Sequence, residues 1–365
     1  MAAFASTSEE VKAAASFALG NIAAGNLPFY LPHLLREVNT SQHEYLMLCA
    51  LKDMISSALG GQAALGQYAD QIMPNLFAFA TRDEEGVRNV AAECLGKLAA
   101  VAPSAALPAL EERLTHTSAF VRSVVVSSLR FTLTEAGTAI SPKSIKKFLL
   151  TLGDSDLKVR RGALLGLNCV AHNRPSAIRD DLAELLPMLY SETTKKPELV
   201  HQVDLGPFKH TVDDGLELRK AAFECMDTLL ETCLDRLELS DFIRHMVSGL
   251  ADDHDIKMLC HLMLTKLASG TNTGVIVASL EELVDPLRKT VNANLKDNAV
   301  KQQIERHEEL VRSAMRAIHA LEKMPESESC LKFDEFVRNS LKAGKLADKY
   351  SAVCAEDMAK STEDA

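Results

Sequence analysis

The chain has 365 residues, 47% of them hydrophobic and 25% charged, and a formal net charge of −10. This composition is ordinary for a globular protein with enough chain to bury a large core. The acidic balance argues against a nucleic-acid binder, which needs a concentrated basic face, and favours a protein partner with complementary basic patches. Low aromatic content and abundant Ala, Leu and Val suit helices packed on helices.

The sequence contains no recognisable targeting segment. No apolar run approaches the roughly 20 residues that cross a bilayer, and the N-terminus lacks the basic start and apolar core of a secretory signal. We therefore expect a protein of the cytoplasm and nucleus, with no membrane partner. The eight cysteines include no C-x-x-C pair, so they are expected to be reduced and mostly to fill the core.

One pattern recurs along the chain: a capping or acidic residue, an aliphatic residue followed by Arg or Lys, and a run rich in Ala and Leu. The basic residues of its seven copies are Lys12, Arg88, Arg122, Arg160, Arg219, Lys257 and Arg312. A more divergent copy, 41–59, lies between the first two. Apart from two longer intervals, from Arg160 to Arg219 and from Lys257 to Arg312, the spacing is about 34 to 42 residues. Such a period is typical of HEAT-type repeats of paired helices.

A second amphipathic segment, often opened or kinked by proline, precedes each copy, so each repeat is predicted to hold two helices. The predicted fold is all-α, a HEAT-repeat α-solenoid of about eight helix pairs with one projecting β-hairpin. Residues 6–24 read as the second helix of a pair, so the first unit is expected to be truncated and the chain to be the C-terminal part of a longer protein.

The predicted domains follow the repeat pattern. HEAT repeats occupy 1–190 and 215–325, and a β-hairpin insertion occupies 191–214. The segment 326–365 is expected to form C-terminal capping helices and a polar tail. The polar stretch 285–307 is interpreted as part of a lengthened helix pair with a loop.

The hairpin is predicted from a β-type alternation on both sides of Gly206-Pro207. With the turn there, the facing pairs are Leu205 with Phe208, Val203 with His210, His201 with Val212, Asp204 with Lys209 and Gln202 with Thr211. One face is then largely apolar and the other polar. A lone two-stranded ribbon is marginally stable, so it either folds back onto the helices or projects and completes itself on a partner.

No constellation in the sequence predicts an enzyme, a metal site or a cofactor. Nucleophile-elbow, phosphate-loop and zinc-protease patterns are absent. His254 and His261 could share a helix face beside Cys260, but no convincing further ligands accompany them. The repeated Arg and Lys residues are interpreted as a ladder, each pairing with an acidic residue of the neighbouring repeat.

Two segments carry a resemblance to a known family: GPFKHTVDDGL at 206–216 and RKAAFEC at 219–225. RNVAAECLGKL at 88–98 and AHNRPSAIRD at 171–180 support it. The sequence resembles the C-terminal region of the cullin-associated, neddylation-dissociated proteins, also described as TATA-binding-protein-interacting proteins. The likeness covers about 6–325 and fades in the tail.

The resemblance implies a HEAT-repeat scaffold that binds unneddylated cullin–RING ligases and exchanges their substrate receptors. C-terminal repeats of this family hold the N-terminal helices of the cullin, and a β-hairpin enters the space of the adaptor/F-box module. The implied partner-binding residues are Leu199, His201, Val203, Leu205, Gly206, Pro207, Phe208, Lys209, His210, Thr211, Val212 and Asp213. A separate N-terminal HEAT-repeat chain is a further implied partner.

Other classes of function remain open from the sequence. A transport receptor or a phosphatase scaffold would bind cargo on its inner helix faces, and the insertion would then be incidental. Contact with the TATA-binding protein is suggested by the second name of the family. An enzyme is the least expected class.

Overall fold

The computed structural model describes residues 2–40, 42–58, 65–133, 140–206, 208–271, 273–295 and 299–363. The chain divides into two compact units, Met1–Met188 and Leu189–Ala365. Both are built from paired amphipathic helices, as the repeat pattern predicts. The HEAT-repeat fold class is therefore confirmed.

The first unit contains nine long helices among its described residues. They are α1 (Glu9–Gly25), α2 (Leu27–Thr40), α3 (Glu44–Ala58), α4 (Ala69–Phe79), α5 (Glu85–Val101), α6 (Pro103–Arg113), α7 (Ala119–Leu133), α8 (Pro142–Leu149) and α9 (Leu157–Asn173). Capping residues start several of them: the Ser8 hydroxyl accepts from the Val11 amide, and the Asp156 carboxylate accepts from the Lys158 and Val159 amides. These bonds satisfy amides that have no partner within the helix.

The helices of the first unit form two layers. The second helices of the repeats, α1, α3, α5, α7 and α9, pack in succession, and α2, α4, α6 and α8 form the other layer. Helix α5 shows how the core is made, since Val87, Ala91 and Leu95 recur every four residues and are buried. A side chain at Gly96 would place its Cβ 2.3 Å from the Ser128 carbonyl oxygen, so α5 and α7 approach closely because this residue is glycine.

The division between the two units, after Met188, falls within helix α10 (Leu182–Ser191). The second unit continues with a β-hairpin and further helices. These elements are β1 (Val200–Leu205), β2 (Phe208–Asp213), α11 (Leu216–Thr232), α12 (Leu239–Gly249), α13 (His254–Ala268), α14 (Thr273–Val291), α15 (Lys301–Glu322), α16 (Leu331–Phe336) and α17 (Ala347–Glu363). Helices α11, α13, α15 and α17 pack in succession, and α12, α14 and α16 form the second layer.

The polar stretch 285–307 includes the end of one long helix and the start of another, and its residues 296–298 lie outside the described part of the structure. Helix α14 has 19 residues and α15 has 22. The first ten residues of α15 are exposed or half-buried, whereas its later part supplies core residues such as Ala314 and Ile318. The N-terminal half of α15 therefore extends beyond the packed core of the second unit.

Half of the cysteines fill the core, which is fewer than the sequence predicts. All eight cysteines are free thiols, and Cys94, Cys225, Cys233 and Cys260 are buried in the core. Among the residues that the structure describes, no helix is both long and apolar enough to span a bilayer.

Candidate functional site

Strands β1 and β2 form an antiparallel hairpin with the predicted register. Leu205 lies opposite Phe208, Val203 opposite His210, and Asp204 opposite Lys209. Gly206 has a φ of 65°, a left-handed conformation that glycine adopts without steric cost. The predicted turn residue Pro207 lies outside the described residues, and at Leu205 and Phe208 the structure describes the backbone alone.

The hairpin projects from the helices. Every described side chain from His201 to Asp204 and from Lys209 to Val212 is exposed, on both faces of the ribbon. Val203 and Val212 are 36% and 37% exposed. The alternative in which the ribbon folds back onto the helices is therefore excluded, because one face would then be buried.

Two predicted binding residues lie at the base of the hairpin rather than on its exposed part. Leu199 is half-buried, and its carbonyl oxygen accepts from the Asp214 amide at 3.0 Å. Asp213 is also half-buried, and its Oδ1 accepts from the Gly215 amide at 3.1 Å. These two residues hold the ends of the ribbon together, and the exposed residues between them are the ones available to a partner.

A buried arginine clamps the base of the hairpin. Arg219 is 3% exposed, and its guanidinium donates to both carboxylate oxygens of Asp213, at 3.2 and 2.9 Å. It also donates to both oxygens of Asp252, at 2.7 and 2.9 Å. One arginine thus joins the end of β2 to the turn before α13. Bidentate pairs of this kind fix geometry as well as charge.

The charges of this clamp stabilise one another. Hydrogen bonds from Arg219 lower the pKa of Asp213. Burial by itself lowers the pKa of Arg219, but the hydrogen bonds with Asp252 and Asp213 outweigh it and raise the pKa above its usual value. Asp213 and Arg219 therefore stay ionised at neutral pH.

The same arginine position closes the turn in other repeats. Arg88, Arg122 and Arg160 each donate through Nη1 to the carbonyl oxygens six and five residues upstream. For Arg219 the residue six upstream is Asp213, which accepts through its side chain instead. The hairpin therefore occupies the place of a turn within a repeat, and a residue of the repeat pattern anchors it.

The ion pairs predicted between neighbouring repeats are found at some of the repeated Arg and Lys positions. The carboxylate links are Arg122 with Asp154, at 2.7 Å, and Arg219 with Asp252, at 2.7 Å. At Arg88 the contact with the next repeat is of another kind, because the guanidinium lies over the Phe120 ring, 4.3 Å from its centroid. The ladder is thus only partly ionic.

The segment leading into the hairpin is held from the other side. The rings of Tyr190 and His245 stack with centroids 4.3 Å apart. Thr193 Oγ1 lies 3.0 Å from His245 Nδ1, and Lys196 pairs with Glu192 at 2.9 Å. Burial lowers the pKa of His245, which favours its neutral form. Both ends of the ribbon therefore start from a fixed base.

A groove that the sequence analysis did not identify lies on α11, α13 and α15. Its volume is about 1530 Å³. The lining includes Met258, Leu259, Leu262, Arg306, Glu309 and Ser313. Leu262 is 46% exposed, although its neighbours Cys260 and Met263 are buried. The sequence signal was an excess of apolar residues around α13, more than one buried face requires.

An ion network crosses one end of this groove. Asp255 pairs with Lys220 of α11 at 2.8 Å and with Arg306 of α15 at 2.8 Å. Hydrogen bonds from Lys220, His254 and Arg306 lower the pKa of Asp255 to about 2. The groove therefore combines an apolar floor with charged walls, which suits a partner helix better than a small neutral ligand.

The two histidines considered for metal binding have other surroundings. His254 Nε2 lies 3.0 Å from the Arg306 carbonyl oxygen, and the Asp253 carboxylate caps α13. His261 is 1% exposed, with no hydrogen-bond partner for either ring nitrogen among the described residues. Within the described part of the chain, no three His, Cys, Asp or Glu side chains are placed to hold a metal.

The His261→Leu variant should be less sensitive to acid than the unmodified chain. Burial, with a smaller effect of Lys257, lowers the pKa of His261 to about 3, against about 6.5 in an unfolded chain. Below pH 6.5 the unfolded state binds a proton that the folded state refuses. The free energy of unfolding should therefore fall by about 2 kcal/mol between neutral pH and pH 5 through this residue alone. Urea unfolding at pH 7.5 and 5 measures the difference.

The control for that experiment is His33→Leu, at an exposed histidine. It should keep the full acid sensitivity. If the acid sensitivity of unfolding were reduced equally in both variants, the buried imidazole of His261 would not be its source.

Comparisons with known families agree with the repeat architecture. The family described as "TATA-binding protein interacting (TIP20)" matches residues 177–340, and the family of HEAT repeats matches residues 59–130. The first match includes the hairpin, the Arg219 clamp and the groove.

Several curated proteins are similar to this chain along most of its length. "Cullin-associated NEDD8-dissociated protein 1" of Dictyostelium discoideum is 42% identical over 97% of the chain, and that of Drosophila melanogaster is 45% identical over 92%. A protein of Emericella nidulans named as the "C-terminal part" is 35% identical over 88%. The chain spans 29%, 27% and 31% of these relatives, so it corresponds to less than a third of each.

Solved structures show the same fold at low identity. Yeast importin-β (Kap95p) has a TM-score of 0.62 at 13% identity, over 93% of this chain and 44% of its own. Kap95p with RanGDP has a TM-score of 0.66 at 13% identity, over 100% of this chain and 47% of its own. At this identity the likeness concerns the helical-repeat fold alone.

Proposed function

This chain belongs to the family of the cullin-associated NEDD8-dissociated proteins, and from that premise we propose that it is a non-catalytic scaffold for cullins. Its ligand is the N-terminal helical region of an unneddylated cullin, and it acts in the cytoplasm and nucleus. By displacing the adaptor and its F-box module, it promotes the exchange of substrate receptors in SCF-type ubiquitin ligases.

The groove on α11, α13 and α15 is the proposed binding site for a cullin helix. A volume of about 1530 Å³ exceeds what a small ligand needs. The exposed Leu262 supplies an apolar contact, and Lys220 and Arg306 supply charge at one end. An amphipathic helix fits such a surface through residues at positions i, i+3, i+4 and i+7.

The hairpin is the proposed element of competition with the adaptor. The observation that carries this proposal is a ribbon exposed on both faces yet clamped at its base by Arg219. A fixed base spares part of the entropy cost of ordering the ribbon on a partner. If hairpin and adaptor occupy overlapping surface on the cullin, each weakens the binding of the other by the same factor.

A separate N-terminal HEAT-repeat chain is a second proposed partner. Helix α1 carries exposed apolar side chains on two sides: Val11 (45% exposed) and Ile22 (54%) share one side, and Phe17 (61%) lies on another. In a stack of helix pairs, exposed apolar side chains of this kind suit contact with another repeat. The Emericella nidulans relative, named as a C-terminal part, supports a division of the scaffold between chains.

The experiment that tests this function removes the exposed ribbon and keeps its base. Residues 200–212 are replaced by a short Gly-Ser linker, so that Leu199, Asp213 and the Arg219 clamp remain. A pull-down with the N-terminal domain of a cullin, with and without bound adaptor, should show unchanged capture of the cullin and loss of adaptor displacement.

Each failure of this experiment has a separate meaning. If the intact chain does not capture the cullin, the scaffold proposal is contradicted. If the linker variant still displaces the adaptor, only the role of the hairpin is contradicted. Binding of a nuclear-transport GTPase or of the TATA-binding protein in place of a cullin would favour the transport-receptor or transcription alternative.

A further inference from the structure

A second recess lies where the end of α14, the N-terminal half of α15 and the start of α17 meet. Its volume is about 610 Å³. We propose that this recess, which is separate from the groove and the hairpin, is a docking site for an acidic amphipathic helix of a partner protein. The proposal goes beyond the proposed function and does not depend on it.

The floor of the recess is apolar. Val291 of α14, Val311 and Met315 of α15, and Val353 of α17 line it. All four are at least nine-tenths buried. Leu295, at the mouth, is 38% exposed. These four side chains form the packed base of the recess, and the apolar surface open to a ligand comes from Leu295 and the half-buried Leu346.

A further exposed apolar residue lies on the same side of α15, outside the recess. Ile304 is 41% exposed and lies on the stripe that continues through Val311 to Met315 at helical spacing. Helix α17 contacts α15 nearer its C-terminal end, through Glu356 with Arg316 at 3.1 Å. The described side-chain contacts of α17 lie in the C-terminal half of α15, whereas Ile304 in its N-terminal half is exposed. An elongated ligand therefore fits better than a compact one.

Among its described residues, the rim of the recess carries more cations than carboxylates. Arg312, Lys345 and Lys349 all line it and are exposed, and none forms an ion pair or hydrogen bond with a described residue. Of the two carboxylates on the rim, Glu356 is bound to Arg316 and leaves only Glu308 to oppose them. On a chain whose net charge is −10, this excess of positive charge is local to the recess.

The charge and the shape together specify the ligand. Cations around an apolar floor complement a helix with Leu or Ile on one face and Asp or Glu beside it. A free phosphate would use the cations and leave the floor empty.

The test measures binding of designed peptides to the full chain by fluorescence anisotropy. The probe is a 16-residue helical peptide with Leu at positions i, i+3, i+4 and i+7 and Glu on the flanks. We expect saturable binding that weakens with salt.

The Arg312→Glu/Lys349→Glu variant should weaken binding at least tenfold. Its control, Arg36→Glu/Arg244→Glu, makes the same change of net charge at exposed arginines outside the recess and should change binding less than twofold.

Two further arms separate the ligand classes. A peptide with Ser in place of every Leu should bind at least tenfold more weakly, and inorganic phosphate should compete only as ionic strength does. Equal weakening by both charge variants, equal binding of the Ser peptide, specific competition by phosphate, or no saturable binding would each overturn the proposal. Thermal melts that match the unmodified chain show that the variants are folded.

Discussion

Replacing Val203 and Val212 by aspartate should abolish adaptor displacement and leave cullin capture unchanged. These valines lie on the largely apolar face of the hairpin and are exposed. Burying a valine on a partner stabilises the contact by about 1.5 to 3 kcal/mol. Losing two of them should therefore weaken displacement by at least about 100-fold.

The hairpin itself supplies the controls for this experiment. Gln202 and Thr211 directly neighbour the two valines in sequence and point to the opposite, polar face of the ribbon. Gln202→Asp and Thr211→Asp introduce the same charge one residue away. Displacement assays with a cullin–adaptor complex should separate each valine variant from its neighbour. Equal loss in the matched pairs would mean that the apolar face is not the contact.

The register of the hairpin could be predicted because it depends on local rules. Alternating side chains fix which residues share a face, and one turn position then fixes every pair. Val203 opposite His210 and His201 opposite Val212 followed from Gly206-Pro207 alone, and the structure has these pairs. The repeat helices were predictable for a similar reason, since their caps and apolar spacing lie within a few residues of one another.

The base of the hairpin was harder to predict because it depends on distant residues. Asp213 was grouped with the partner-binding residues, yet its carboxylate binds Arg219, which also binds Asp252, 33 residues further on. Nothing in the sequence near Asp213 specifies that partner. The predicted ladder correctly assigned Arg219 to a pairing with the neighbouring repeat. It did not predict that Asp213 of the hairpin binds the same arginine.

The groove and the recess were missed for the same reason. The groove exists because α11, α13 and α15 pack in succession, and the recess because α17 contacts only part of α15. Leu262 and Ile304 are unremarkable apolar residues in the sequence, and only the packing shows that both are exposed. Local sequence patterns therefore predict helices and strands well. The binding surfaces depend on how those helices pack and where they end, which the local patterns do not specify.

Replacing Arg219 by alanine should loosen the hairpin and destabilise the second unit together. The substitution leaves the carboxylates of Asp213 and Asp252, which are 16% and 10% exposed, facing each other without their cation. Breaking a buried pair by removing one partner costs about 3 to 5 kcal/mol. Arg219→Lys should have an intermediate effect, because a lysine keeps the charge but cannot donate to both carboxylates in bidentate fashion.

The control for Arg219→Ala is Arg122→Ala, which removes the equivalent link to Asp154 in a repeat without a hairpin. Both variants should lower the urea midpoint of unfolding. Only Arg219→Ala should speed amide hydrogen exchange at 200–213, where the strands pair, and slow adaptor displacement before the fold is lost. If exchange in the hairpin is unchanged while stability falls, the clamp holds the repeat but not the ribbon, and the ribbon owes its geometry to its own cross-strand pairs.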